Sequence, residues 1–282
     1  MKNSKITVKK YTDIIKVLFA VGILLALFFT VLALALYEKD VHYFRVYSVT
    51  PKIYSVLMCI FSVTAFLMAY IAPKKELPEK DKLVNVRNKL SDLASIICAG
   101  FVFVTVISRV PAIFRHNDVS VAHPVGHPGL LNVLFVLFGL AAAAYFVSEF
   151  FGAARVFRAY LGFGVIIYLI IYLLTVYYDT NIPINSPMRV LDQITTIGMM
   201  VWFMLEERFI IETPSPYIYV SVGLIATSLC FALGLSTVLC VLFGKIDAST
   251  YAVFGALEAL AFGIWIWVRV YSFVTSLLKA KT

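Results

Sequence analysis

The sequence predicts an all-α, polytopic membrane bundle of about eight transmembrane helices, with both termini cytoplasmic. Three observations carry this expectation. Of 282 residues, 61% are apolar and 14% charged, with a mean hydropathy of +0.91, whereas a soluble chain is about half apolar and a quarter charged. The apolar residues form continuous runs near the roughly 20 residues that a helix needs to cross the hydrocarbon core. The lysines and arginines behind the net charge of +8 crowd alternate short connections, the pattern that orients helices in a bilayer and draws loops to anionic headgroups.

The segments follow in order. Ile14–Tyr37 comes after Lys2, Lys5, Lys9 and Lys10. Its basic start and its Ala33-Leu34-Ala35 resemble a secretory signal, but a signal's apolar region spans only about 7–15 residues. The run from Val17 to Leu36 is longer, so a retained helix is predicted. Cleavage there would leave seven helices. The first loop holds Lys39, Arg45 and Lys52, and Ile53–Ile71 follows. The longest polar connection, about Ala72 to Ser91, carries Lys74, Lys75, Lys80, Lys82, Arg87 and Lys89. Leu93–Ile113, Gly129–Phe151 and Ala159–Tyr178 come next, with Arg155 and Arg158 in the turn before the last. Val190–Leu205 is the weakest segment, because Arg189 and Asp192 crowd its start and Glu206 and Glu207 its end. Pro183, Pro187, Pro214 and Pro216 still mark turns around it. Tyr217–Phe243 and Tyr251–Leu278 complete a single transmembrane domain over residues 1–282, closed by Lys279 and Lys281. Tyrosines at segment ends, among them Tyr37, Tyr70, Tyr177 and Tyr251, suit an interfacial aromatic belt. A β-barrel would show alternating segments of about ten residues instead.

No motif fixes a reaction. The sequence has no P-loop, GxSxG or HExxH, no paired aspartate motif, no histidine within a predicted helix and no lysine within a late one for a Schiff base. Cys59, Cys98, Cys230 and Cys240 all fall in apolar runs without metal or CxxC spacing. The chain is therefore expected to be no enzyme and to hold no metal or cofactor. His116, Asp118, His123 and His127 share the third loop, but Pro124 and Pro128 break any helix that would align the imidazoles, so a solvated loop is expected. Pro51–Pro78 laid over Pro187–Pro214 matches only the prolines, Met68 with Met204 and Glu76 with Glu212. That is near chance for an internal repeat.

Ionisable side chains deep in a bilayer cost about 2.5–3.5 kcal/mol on a translocon scale and mark functional positions by default. Glu258 stands out, seven residues past Tyr251 in an otherwise apolar stretch. That is roughly 10 Å below the outer surface. Arg109 and Asp192 belong to the same leaflet by topology, with Arg109 as the natural countercharge. The three could bind a small charged or zwitterionic solute, or form an intramembrane ion pair that fixes packing. Arg269 lies eleven residues after Glu258 on the same helix face, about 16 Å away, where Glu149 and Glu206 could meet it. Glu149, Glu206 and Glu207 are placed at inner helix ends, and Arg109, Asp192 and Arg189 at or near outer ends, where snorkelling makes charges cheap.

The function expected is that of a small-solute transporter, or the membrane subunit of one, in a bacterial cytoplasmic (inner) membrane. The alternative is a membrane-embedded sensor or regulatory protein that signals to a cytoplasmic partner. The expected partners are the lipid bilayer, a small solute, and a protein partner or second copy of the chain, with no nucleic acid. Gly162, Gly164, Gly234 and Gly263 read as close-packing positions rather than breaks in a transport site.

Overall fold

The computed structural model describes residues 8–38, 43–44, 49–71, 89–114, 128–178, 183, 185–211, 215–246 and 250–279. Within them run eight helices: α1 (Val8–Leu36), α2 (Thr50–Ile71), α3 (Lys89–Phe114), α4 (Pro128–Phe151), α5 (Arg155–Tyr178), α6 (Pro187–Ile210), α7 (Pro216–Leu242) and α8 (Thr250–Lys279). All but α6 are long and apolar enough to cross a membrane. The fold is a helical membrane bundle.

Several helices outrun their apolar cores. The first starts at Val8 rather than Ile14, the third at Lys89 rather than Leu93, and the fifth at Arg155 rather than Ala159. A long basic side chain is compatible with a helix that outruns its apolar core, since the backbone keeps its hydrogen-bond ladder and the charge can extend back to headgroups. Pro187 and Pro216 open α6 and α7 in the first turn, where a missing N–H costs nothing. Gly152, with φ of 67°, ends α4 in the left-handed region. There its N–H and that of Ala153 return to Glu149 O and Ser148 O at 3.0 and 2.9 Å. One expectation needs correction at the far end of α1. Tyr37 leaves the helix and pairs with Phe44 in a short antiparallel hairpin, β1 (Tyr37–Glu38) with β2 (Tyr43–Phe44). Its buried ring meets Phe44 edge-on at 6.1 Å, a contact that a continuing helix would forgo.

The helix α6 fails the apolarity criterion because polar residues line it, yet at 24 residues it matches α5 in length. The two run antiparallel from end to end. Arg189 reaches Tyr177 O, Tyr172 reaches Asp192, and Glu207 sits against Gly162. An element that tracks such a helix over its whole length has the same reach. Its polar residues are tolerated because the bundle, not lipid, surrounds them.

At the centre lies α7, packed by α1, α2, α6 and α8, while α8 also meets α3 and the series α3, α4, α5, α6 closes a ring. Ser228 donates to Gly22 O at 2.8 Å and Ser221 to Ala65 O at 2.6 Å, fastening α1 and α2 onto α7. Outward faces are apolar at one-heptad steps, as at Val17, Leu24 and Val31 on α1 and Ile53, Ile60 and Leu67 on α2, all exposed. Such stripes suit lipid. The first residues of α1 and the last turns of α8 share one level, since Tyr11 meets Tyr217 at 5.9 Å and Phe273 meets Tyr219 at 5.8 Å.

Between the two ends of the ring sits an aromatic septum: Tyr145 and Phe146 of α4, Trp202 and Phe203 of α6, Phe262 and Trp265 of α8, all fully buried. Trp265 is its hub, 5.1 Å from Phe146, 5.2 Å from Trp202 and 5.3 Å from Phe203. Most contacts are edge-to-face, the arrangement that aromatic quadrupoles prefer.

Candidate functional site

Two polar levels flank the septum. The one on the side that the lysine and arginine distribution predicts to be outside, the outer level, gathers side chains from four helices. On α8, Glu258 is buried, and its carboxylate accepts from the Tyr168 hydroxyl of α5, 2.9 and 3.1 Å from the two oxygens. One turn on, Tyr172 donates to Asp192 Oδ2 of α6 at 3.3 Å. Asp192 Oδ1 is buried with no hydrogen-bond partner. The Arg109 guanidinium of α3 lies over the Phe135 ring at 5.2 Å, a cation–π contact. Phe135 in turn packs on Tyr168 at 5.0 Å. Tyr172 feels the charges of Asp192, Glu258 and Arg109 together. The sequence-derived trio thus shares one neighbourhood, with two tyrosines as its connecting members.

Asp192, Glu258 and Tyr172 line one small cavity with Leu169, Met199, Leu233, Gly255, Ala259 and Phe262. Its volume of about 10 Å³ accommodates roughly one water. The Thr105 hydroxyl of α3 donates to Phe101 O at 2.9 Å within its own helix. Of the four residues singled out by sequence, Asp192 and Glu258 line this cavity, Arg109 lies to one side over Phe135, and Arg269 belongs elsewhere.

On the other side of the septum, Arg269 lies 3.3 Å from Glu149 Oε1 through Nη1 and pairs through Nη2 with Glu206. Its guanidinium stacks towards the Trp265 ring at 5.9 Å. Ser91 of α3 donates to Glu149 at 3.4 Å, and Trp265 Nε1 donates to Ser95 at 3.3 Å, linking septum to network. Glu149, Glu206 and Glu207 are 4%, 1% and 2% exposed, and Arg189 at the outer end is 4% exposed. The expectation that Arg189 snorkels is corrected, while Glu149, Glu206 and Glu207 do lie in the last turns of α4 and α6, buried between helices. Neighbouring helices supply partners or space closer than the headgroups do, so the side chains turn inward. Arg189 donates to Tyr177 O and does not reach for lipid headgroups.

Sequence reasoning missed Tyr168, Tyr172 and Glu207. The tyrosines lie four residues apart, one face of one helix, well inside an apolar run, and that spacing was their only signal. Glu207 had none, because Glu206 beside it reads as the same helix-end charge. The third-loop residues Arg115, His116, Asp118, His123 and His127, and the basic stretch from Lys74 to Arg87, lie outside the described residues. Among the described residues no group of three metal-binding side chains converges.

No family model matches the chain, and no curated protein or solved structure matches it either.

Proposed function

We propose that the chain is a small-solute transporter, or the membrane subunit of one, whose solute engages the outer polar level. The observation that supports this reading most is the cavity between Asp192 and Glu258. Two carboxylates face it, while the one guanidinium of the trio, Arg109, is displaced to one side over Phe135. An ion pair built for packing alone would satisfy its members. Here Asp192 Oδ1 has no protein donor and Asp192 lines the cavity, which leaves an acceptor available to whatever enters it. A solute with a cationic group would meet Asp192 and Glu258, and an anionic group on it would meet Arg109.

The cavity holds only about one water, too little space for a solute. Loading requires the ring to part. The septum beneath blocks passage towards Arg269, as a transporter that exposes its site to one side at a time requires. The proposed activity is translocation without a covalent step.

The test is the melting temperature of the detergent-purified protein against a panel of small charged and zwitterionic solutes, with Glu258→Gln alongside. A solute at about 100 times its Kd adds roughly 2.7 kcal/mol of stability. The expected result is a shift in the wild type that disappears in the variant, followed by uptake of that solute into proteoliposomes. A wild type unmoved by every solute, beside a variant that is merely less stable, would make Glu258 structural. The sensor reading, with a cytoplasmic partner, would then take its place.

A further inference from the structure

The inner polar network has one acid too many. Among the described residues its members are the buried Glu149, Glu206 and Glu207 against the half-buried Arg158 and Arg269. Arg269 is shared by Glu149 and Glu206. Glu207 is left over. Its side chain is 2% exposed, and neither of its carboxylate oxygens has a hydrogen-bond partner.

The space that holds Glu207 is specific. A Cβ on Gly162 would stand 1.6 Å from Glu207 Oε1 and 2.3 Å from its carboxyl carbon. The carboxyl therefore occupies a recess in α5 that exists only because residue 162 has no side chain. The charged and titratable groups that act on it are Arg158 from α5, Tyr145 from α4 and Glu206 on its own helix, while Glu149 from α4, Tyr219 from α7 and Arg269 from α8 gather around Glu206. Arg158 is the nearest cationic influence, yet it makes no hydrogen bond to the carboxyl, and Glu206 repels.

A fully ionised carboxylate without a donor is among the costliest things a bundle interior can hold. Two ligands could relieve it: a metal cation or a proton. A hard cation needs several oxygens around it, and among the described residues no group of three metal-binding side chains converges here. A proton needs no cage. We infer that Glu207, seated in the Gly162 recess, is a proton-binding site that exchanges one proton with the inner side of the membrane. The site is separated from the outer cavity by the aromatic septum and stands whether or not the outer level binds a solute.

The probe is dicyclohexylcarbodiimide, which adds to a protonated carboxyl in apolar surroundings and leaves a stable acylurea. The full-length protein in proteoliposomes is treated across a pH series, and the modified residue is located by peptide fragmentation. The expected result is label on Glu207, lost in alkaline buffer and absent from Glu207→Gln. Gly162→Ala fills the recess, expels the carboxyl and should remove the label with Glu207 still in the chain. If that variant does not fold, the wild-type pH series decides alone. Absence of label on Glu207, or label that ignores pH, overturns the inference. Protection by sodium at constant pH also overturns it, because the recess would then be a metal-cation site.

Discussion

Arg269 carries two carboxylates at once, and each can be afforded inside the bundle only while the guanidinium is present. Arg269→Met would leave Glu149 and Glu206 buried beside each other. Breaking a buried pair from one side costs about 3–5 kcal/mol. The expected outcome is a loss of that order in unfolding measurements in detergent. The triple variant Arg269→Met, Glu149→Gln, Glu206→Gln should recover most of it, because no unpaired charge remains. Recovery would show that the cost lies in stranded charge and not in lost packing against Trp265. At this scale the sequence was legible wherever a charge stands alone. Glu258 is surrounded by apolar neighbours for a full turn either way, so its depth could be counted. Glu207 could not be found that way. Its distance from a helix end says nothing about which way the side chain turns, and the recess that receives it belongs to another helix.

Helices were legible as apolar runs, and all eight segments expected from sequence are present. Their ends were less so, since a run of apolar residues marks hydrocarbon thickness while the backbone ladder continues past it to Lys89 or Arg155. The side-by-side packing of helices was also hidden, because it depends on which small residues face a neighbour. Gly223 of α7 is such a position: an added Cβ would meet Val270 Cγ2 at 2.4 Å and Trp202 Nε1 at 2.8 Å. Gly100 of α3 has nothing within 4 Å of that point. Gly223→Ala should therefore destabilise by about 1–3 kcal/mol through overpacking. Gly100→Ala should be neutral or stabilising by up to roughly 1 kcal/mol through helix propensity. Paired melting curves in one detergent check both. Equal effects would mean that α7 and α8 can separate without cost.

For the molecule as a whole, the decisive element is α6. If it traverses the membrane, the turn after α4 at Ala154 and the turn after α7 at Lys245 lie on opposite faces. If it does not, they lie on the same face. Ala154→Cys and Lys245→Cys, labelled one at a time with an impermeant maleimide in right-side-out and inverted vesicles, should react from opposite sides. Labelling from one side would reduce the crossings to seven. Sidedness itself was read from lysine and arginine counts, much of it on stretches such as Lys74–Arg87 that lie outside the described residues. The septum has a consequence of a different kind. The chain has three tryptophans. Two of them, Trp202 and Trp265, meet edge-on at 5.2 Å within it, and the third, Trp267, stacks on Phe19 at 4.8 Å where α8 touches α1. Nearly all of the protein's ultraviolet emission therefore originates at or beside the barrier between its two polar levels. Intrinsic fluorescence thus follows the state of that barrier without any attached dye.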